Sequence, residues 1–129
     1  MKLLGIDYGD AKVGIAIADT ESGMALPYEI LPGQDWNKLI EELKKIIKSE
    51  RIEKIIIGLP IDTKGKESIQ AERVREFVKK LGEEVDVVIE VLDERYSTQE
   101  AQKLSPGKNE DDISAMLILQ NYLDKSKNF

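Results

Sequence analysis

The stretch KLLGIDYGDAKVGIAIA, residues 2–18, decides the fold of this chain. Two apolar runs, Lys2 to Ile6 and Val13 to Ala18, flank a turn-rich segment that begins with Asp7-Tyr8-Gly9-Asp10, and this pattern predicts two strands of a β-hairpin. In the second run, large and small apolar residues alternate: Val13, Ile15 and Ile17 against Gly14, Ala16 and Ala18. One face of the hairpin is therefore expected to pack closely against another element.

Strand and helix patterns alternate through the next part of the chain. Ala25 to Leu31 reads as a weaker third strand, and Pro27 within it favours an edge position. Asp35 can cap a helix whose apolar residues recur at helical spacing. These apolar residues are Trp36, Leu39, Ile40, Leu43, Ile46 and Ile47. The pattern predicts an amphipathic helix beside the hairpin.

The second half of the chain predicts two further strands and three helices. Lys54 to Ile57 is a short buried strand before a Gly58-Leu59-Pro60 turn, and Val85 to Leu92 is the fifth strand. Between them runs a helix that buries Val74, Phe77, Val78 and Leu81 and that Gly82 is expected to end. A short helix follows the capping-box pair Ser97 and Glu100 and is broken by Ser105-Pro106-Gly107, and a last helix covers Glu110 to Asp124.

The element order predicts an α/β fold: a mixed five-stranded sheet, made of an antiparallel β-meander plus parallel strands and flanked by helices. The 129 residues, 41% of them apolar, are enough for one packed core, so residues 1–129 are expected to form a single domain. The chain has neither a signal peptide nor a membrane-spanning segment in its sequence pattern, which predicts a cytoplasmic location.

The composition limits the chemistry. The chain has no cysteine and no histidine, which excludes disulfides, thiolate zinc sites and imidazole bases. Carboxylates, hydroxyls, lysine and arginine remain. The net charge of −6 argues against a general nucleic-acid binder, so any contact with nucleic acid is expected to be local.

Three acidic residues are expected at the carboxyl ends of the parallel strands, where open α/β sheets bind ligands. Asp7 ends the first strand, Glu94 lies just past the fifth, and Asp112 opens the last helix on its apolar face. Asp111 shares a less uniformly apolar face and ranks second. Carboxylates without histidine or cysteine suit Mg²⁺ or Mn²⁺, and two such ions roughly 3.5 to 4 Å apart can promote phosphodiester hydrolysis. Lys64 and Lys66, beside a helix start, would suit phosphate.

Several motifs of the chain resemble, in order, those of the YqgF-type Holliday-junction-resolvase-like proteins of the RNase H-like superfamily. The matching stretches are residues 5–9 (GIDYG), 14–16 (GIA), 58–60 (GLP), 93–98 (DERYST) with Glu100-Ala101, and Asp112 before 117–120 (LILQ). The resemblance implies an RNase H-like fold, divalent-metal nuclease activity in the cytoplasm, and a role in maturing the ends of pre-16S rRNA. Asp7, Glu94 and Asp112 then fall on the family's catalytic, metal-binding acids.

The resemblance also places Arg95 and Lys12 near the metal as phosphate contacts. Relatives more often carry arginine at the position of Lys12. The lysine keeps the positive charge but cannot bind a phosphate in the bidentate manner of arginine. Residues 106–111 replace a longer, more basic loop, so phosphate contacts and the salt dependence of binding are expected to be reduced. Structured RNA, branched DNA and ribosomal precursor particles are the partners implied, with the chain acting as a monomer or homodimer.

Three alternatives remain open from the sequence. The chain could act as a Holliday-junction resolvase on branched DNA, or as a non-catalytic module of the same fold that binds RNA or protein. The opening GIDYG hairpin, residues 5–9, also resembles the start of the actin and sugar-kinase superfamily, whose architecture needs two such domains. Retention of three mutually repelling carboxylates favours a metal-dependent enzyme over a binding module.

Overall fold

Five strands and three helices form the described part of the chain. The computed structural model describes residues 1–61, 69–94 and 110–126, without the side chains of Glu94, Glu110, Asp111, Asp112 and Ser126. The elements are β1 (Lys2–Asp7), β2 (Lys12–Asp19), β3 (Met24–Pro32), α1 (Trp36–Ser49), β4 (Lys54–Pro60), α2 (Ile69–Glu84), β5 (Val88–Glu94) and α3 (Glu110–Ser126).

The five strands form one mixed sheet in the order β3-β2-β1-β4-β5. Strands β1, β2 and β3 pair antiparallel, as a meander does, whereas β4 lies parallel to both β1 and β5. This arrangement confirms the α/β fold with a mixed five-stranded sheet. It also brings the carboxyl ends of β1, β4 and β5 to the same edge of the sheet.

Helices cover both faces of the sheet. On one face, α1 and α2 pack against large residues that alternate along the strands, including Leu4, Ile15 and Ile57. On the other face, α3 packs against a second buried cluster that contains Leu3, Ala16 and Ile56 together with Leu119 of the helix. The two clusters share the sheet between them, so each strand of the sheet centre is buried on both sides.

Small residues let α3 approach the sheet closely. A Cβ atom added to Gly5 would overlap the side chain of Leu119 and lie 3.1 Å from the carbonyl oxygen of Ala115. Ala16 and Ala18, on the neighbouring strand, are also buried beneath this helix. The alternation of small and large residues in β2 thus has the predicted consequence, because the small face accepts a helix at short range.

The predicted helix cap and the predicted edge strand are both confirmed. Asp35 caps α1, since its carboxylate accepts hydrogen bonds from the backbone N–H groups of Asn37 at 3.0 Å and Lys38 at 3.3 Å. Strand β3 lies at the edge of the sheet, and its register against β2 shifts next to Pro27. Proline has no N–H to donate, and that loss is tolerated at an edge.

Three predicted boundaries in the second half of the chain were wrong. The Gly58-Leu59-Pro60 segment is not a turn but the end of β4, because it continues the pairing with β5 and buries Leu59. Gly82 does not end α2, which continues to Glu84. Strand β5 begins at Val88 rather than Val85, whose N–H still bonds to the Leu81 carbonyl in the helical manner. The short helix predicted after Ser97 lies outside the described residues.

Candidate active site

Asp7 ends β1 at the carboxyl edge of the sheet, as predicted, and is half-buried there. It lies on the α3 face, because side chains alternate along a strand and Leu3 of the same strand belongs to the α3 cluster. Its antiparallel partner on β2 is Gly14. On the other side Ile6 pairs with Ile57, so the next residue of β4 at the level of Asp7 is Gly58.

Glu94 is the last residue of β5 rather than the first residue beyond it, because it still pairs with Pro60. It shares the α3 face with Leu92, which packs against the α3 cluster. Since Gly58 pairs with Leu92, Glu94 stands two residues further along the sheet than Asp7. One strand separates β1 from β5, so the two strands lie roughly 10 Å apart, and the offset of two residues brings the separation of the Asp7 and Glu94 backbones to roughly 12 Å.

The first turn of α3 lies at the same edge of the sheet. Tyr122, near the end of the helix, contacts Lys54 at the start of β4, and Ala115 lies beside Gly5. The helix therefore runs against the direction of β1, and one turn before Ala115 brings Asp111 and Asp112 towards the level of Asp7. The choice of Asp112 over Asp111 as the ligand stays a prediction, because both belong to this turn.

Among the predicted phosphate contacts, Lys12 is the one within the described residues. It is the exposed first residue of β2. Lys12 lies two residues from Gly14 on the same strand, so it is on the α3 face, two residues beyond the level of Asp7 towards the carboxyl edge of the sheet. Lys64, Lys66 and Arg95 lie outside the described residues, and their role stays a prediction.

Helix α2 anchors the loop that follows Asp7, a feature that the sequence did not indicate. The side-chain amide of Gln70 donates a hydrogen bond to the Tyr8 carbonyl at 3.2 Å, and the Arg73 Nε atom lies 2.8 Å from the Asp10 carboxylate. A hydrogen bond with Tyr8, followed by the charge of Asp10, raises the pKa of Arg73 above its usual value. The sequence separation of these pairs explains why no local pattern revealed them.

Aromatic packing on the α1–α2 face of the sheet supports the loop that follows Asp7. The Tyr8 ring is buried and stacks on Phe77 with centroids 5.0 Å apart. Its hydroxyl accepts a hydrogen bond from the Trp36 indole N–H at 2.8 Å. Tyr8 and Trp36 are thus packing residues, as the sequence indicated. Tyr96 lies outside the described residues. The backbone that carries Asp7 is therefore fixed from both ends of the turn.

The site offers oxygen ligands. Among the side chains that the structure describes, no group of three acidic residues is placed to hold a metal ion. The side chains of Glu94, Asp111 and Asp112 are not among those described. The donor chemistry fits hard divalent cations, because the chain has carboxylates but neither histidine nor cysteine.

Solved structures define the class of this fold. Thermus thermophilus RuvC, solved with a Holliday junction substrate, superposes with a TM-score of 0.67 at 12% identity and covers 99% of this chain and 97% of its own. The fowlpox virus resolvase, solved with Holliday junction DNA, gives a TM-score of 0.56 at 14% identity, with coverage of 98% and 99%. At these identities the likeness shows the fold alone, which is the RNase H-like fold predicted from the sequence.

The chain belongs to the family described as "RuvX: Holliday junction resolvase", whose family model matches residues 1–125. A relative from Natranaerobius thermophilus, named "Putative pre-16S rRNA nuclease", is 33% identical over 137 residues, covering 99% of this chain and 97% of the relative. A relative of the same name from Thermoanaerobacter pseudethanolicus is 36% identical over 138 residues, with 99% of each chain covered. The family assignment made from the motifs is confirmed.

None of the three described helices is both long and apolar enough to cross a membrane.

Proposed function

We propose that this protein is a metal-dependent nuclease that hydrolyses phosphodiester bonds of structured RNA and acts in processing the ends of pre-16S rRNA. The observation that carries the proposal is that Asp7, Glu94 and the first turn of α3 belong to one edge and one face of the sheet. The names of the two relatives supply the substrate class. A cytoplasmic location and contact with ribosomal precursor particles follow from this role.

Asp7, Glu94 and Asp112 would hold the cations, and each has a different degree of backbone support. Asp7 ends β1, and Gln70 and Arg73 hold the loop that follows it through the Tyr8 carbonyl and the Asp10 carboxylate. Glu94 stands at the end of a strand paired up to its last residue. A ligand on a backbone held in this way loses less freedom when a cation binds than one on an unsupported loop does.

When bound, a pair of Mg²⁺ or Mn²⁺ ions would stabilise the attacking water and the leaving oxygen of an in-line displacement. The chain itself would bind and orient the strand. Lys12 lies beside Asp7 on the same face and supplies a positive charge for a phosphate next to the one cleaved. Lys64, Lys66 and Arg95 are proposed for the same role from the loops at this edge of the sheet.

Branched DNA is the second candidate substrate, because the family description names a Holliday junction resolvase. The same carboxylates and cations would serve either substrate, since phosphodiester hydrolysis does not depend on the sugar. Substrate choice depends instead on surface shape and on contacts such as those to the 2′-hydroxyl of RNA. A comparison of both substrates in one assay therefore separates the two.

The test is cleavage of labelled structured RNA and of four-way DNA junctions in Mg²⁺, in Mn²⁺ and in EDTA. We expect cleavage of the RNA with either metal, none with EDTA, and losses of roughly 10³-fold or more in Asp7→Asn, Glu94→Gln and Asp112→Asn. Asp93→Asn is the matched control, because Asp93 is exposed on the opposite face of β5 next to Glu94. Asp111→Asn compares the two aspartates of the α3 turn directly.

Each outcome separates the candidates. Cleavage of junction DNA in preference to RNA, with the same loss in the three variants, would assign the resolvase reaction. Metal-independent binding of RNA without cleavage of either substrate would contradict the nuclease proposal and favour the non-catalytic module. Equal activity of wild type and Asp7→Asn would contradict the assignment of the site.

A further inference from the structure

Asp7 has a glycine at its level on each neighbouring strand. Gly14 pairs with it directly on β2, and Gly58 follows Ile57, the residue that pairs with Ile6. Both glycines share its face, because Ala16 and Ile56, two residues away on the same strands, belong to the α3 cluster. On the α3 face, the Asp7 carboxylate is thus the only side chain at this level across the three described strands β2, β1 and β4.

Backbone conformation does not explain these glycines. Gly23 is the one glycine with a positive φ in the described part of the chain, so Gly14 and Gly58 adopt backbone angles open to any residue. Glycine inside a strand lowers stability, because it offers no side chain to pack and loses more conformational freedom on folding. Two such positions, side by side with a predicted metal ligand, call for another explanation.

Gly5 shows what a helix-packing glycine looks like in this sheet. An added Cβ there would overlap Leu119, so the close packing of α3 on the sheet requires glycine at position 5. Gly14 and Gly58 lie two residues nearer the carboxyl edge of the sheet than Gly5 does, at the level of Asp7. A glycine in a strand also marks positions where a ligand approaches the backbone closely.

We infer that Gly14 and Gly58 are positioning residues that leave room for the hydrated divalent cation and the scissile phosphate on both sides of the Asp7 carboxylate. A methyl group at either glycine would stand roughly 5 Å from the Asp7 Cβ atom on the same face. Mg²⁺ keeps six ligands at roughly 2.0 to 2.1 Å, several of them waters, so its shell occupies the space that such methyl groups would enter. This inference rests on the proposed function, because it assumes that Asp7 binds the cation.

The test is calorimetric titration of metal-free protein with Mn²⁺, together with the melting temperature of each metal-free variant. We expect Gly14→Ala and Gly58→Ala to raise the Mn²⁺ dissociation constant by roughly 10-fold, with no fall in melting temperature. Gly5→Ala is the packing control and should lower the melting temperature through its overlap with Leu119. Gly82→Ala in α2 is the control away from the site: its added Cβ meets only Ile89, at 3.9 Å, so the melting temperature should rise, as for Gly→Ala inside a helix, and Mn²⁺ binding should be unchanged.

Two results would overturn the inference. In the first, Gly14→Ala and Gly58→Ala bind Mn²⁺ as tightly as wild type while Asp7→Asn does not, which leaves the proposed function intact. In the second, both variants lower the melting temperature as far as Gly5→Ala does, which makes them helix-packing glycines. A wild type that binds no Mn²⁺, or an Asp7→Asn variant that binds as wild type does, would instead reject the proposed function itself.

Discussion

Lys54 ties the end of α3 to the sheet on the face that carries Asp7. Its Nζ atom lies 2.8 Å from the Glu90 carboxylate and donates a hydrogen bond to the Tyr122 hydroxyl, also at 2.8 Å. The side chain of Lys54 is largely buried. The hydrogen bond to Glu90 and then that to Tyr122 raise the pKa of Lys54 above its usual value. The charge is therefore favoured in the folded state.

This raised pKa predicts a loss of stability at high pH. The contribution of Lys54 is fully present below the unfolded pKa of roughly 10.4 and is lost as the pH rises through the higher folded pKa. Urea unfolding from pH 8 to pH 11.5 should therefore show a steeper fall for wild type than for Lys54→Met. Parallel curves for the two proteins would contradict the assignment.

At neutral pH, Tyr122→Phe should lower the free energy of unfolding by about 1 kcal/mol, because the hydrogen bond from Lys54 is lost.

Arg51 has a backbone conformation that glycine adopts more easily, with φ at 54°. It follows the C-cap Glu50 of α1, and the N–H groups of Arg51 and Ile52 bond back to the carbonyls of Lys48 and Ile47. This is the Schellman arrangement, in which glycine is usual.

Arg51→Gly should therefore stabilise the protein by about 1 kcal/mol, because it removes the steric cost of a side chain at positive φ. Chemical denaturation measures this change directly. Lys45→Gly, inside the same helix, is the matched control and should destabilise by a similar amount, about 1 kcal/mol. A loss of stability in Arg51→Gly would show that the Arg51 side chain contributes more than its backbone costs.

At the residue scale, the sequence predicted the place of Asp7 at the end of β1, because a strand followed by Asp and Gly is a local pattern. Its flanking glycines were visible as residues, but their place beside Asp7 depends on strand register, which the sequence did not determine. The clamp of Arg73 on Asp10 joins residues far apart in the chain and left no local signal. Local patterns thus predicted where Asp7 lies, whereas the contacts that hold the loop after it became visible only in the fold.

At the element scale, helices with a strong apolar period and the hairpin were predicted most closely. Strand β4 was predicted too short, because Gly and Pro at its end look like a turn, yet pairing with β5 holds them in the sheet. Gly82 was read as a stop, yet α2 continues past it to Glu84. In β4, pairing with β5 outweighed the local preference of Gly and Pro for a turn. In α2, Gly82 lacks the positive φ of a glycine that ends a helix.

Gln120 links α3 to the outer edge of β3. Its side-chain oxygen accepts a hydrogen bond from the Ala25 N–H at 3.0 Å, and its amide donates to the Gly23 carbonyl at 3.1 Å. An edge strand with open N–H groups is a template for pairing with another chain. Gln120 and Pro27 together reduce the donors that this edge offers.

Replacement of Gln120 by Met should therefore destabilise the protein by roughly 1 to 3 kcal/mol, because the half-buried Ala25 N–H loses its partner. It should also increase self-association, which sedimentation velocity measures. Gln34→Met is the matched control, since Gln34 is exposed on a loop. Equal stability and equal sedimentation of the two variants would contradict this role of Gln120.

At the scale of the whole molecule, the sheet couples the two apolar clusters. Each central strand contributes alternate residues to the α1–α2 face and to the α3 face. We propose on this ground that the chain folds as one domain. Trp36, the only tryptophan, packs edge-on against Phe77 at 5.6 Å between centroids and reports on the first face.

Unfolding should then be a single transition. The midpoint followed by Trp36 fluorescence, which senses one face, should coincide with that from far-ultraviolet circular dichroism, which senses all elements. Separate midpoints would contradict a single cooperative unit. A plateau in the dichroism curve after the loss of fluorescence would identify α3 with its side of the sheet as the more stable part.

We propose that Asp7, Glu94 and Asp112 converge on divalent cations at the carboxyl edge of the sheet. Anomalous diffraction from crystals grown in saturating Mn²⁺ tests it most directly, because it locates the metal and its ligands together. We expect anomalous peaks in contact with all three carboxylates, at ligand distances of roughly 2.0 to 2.2 Å. Occupied Mn²⁺ sites elsewhere in the crystal, with no peak at Asp7, would contradict it.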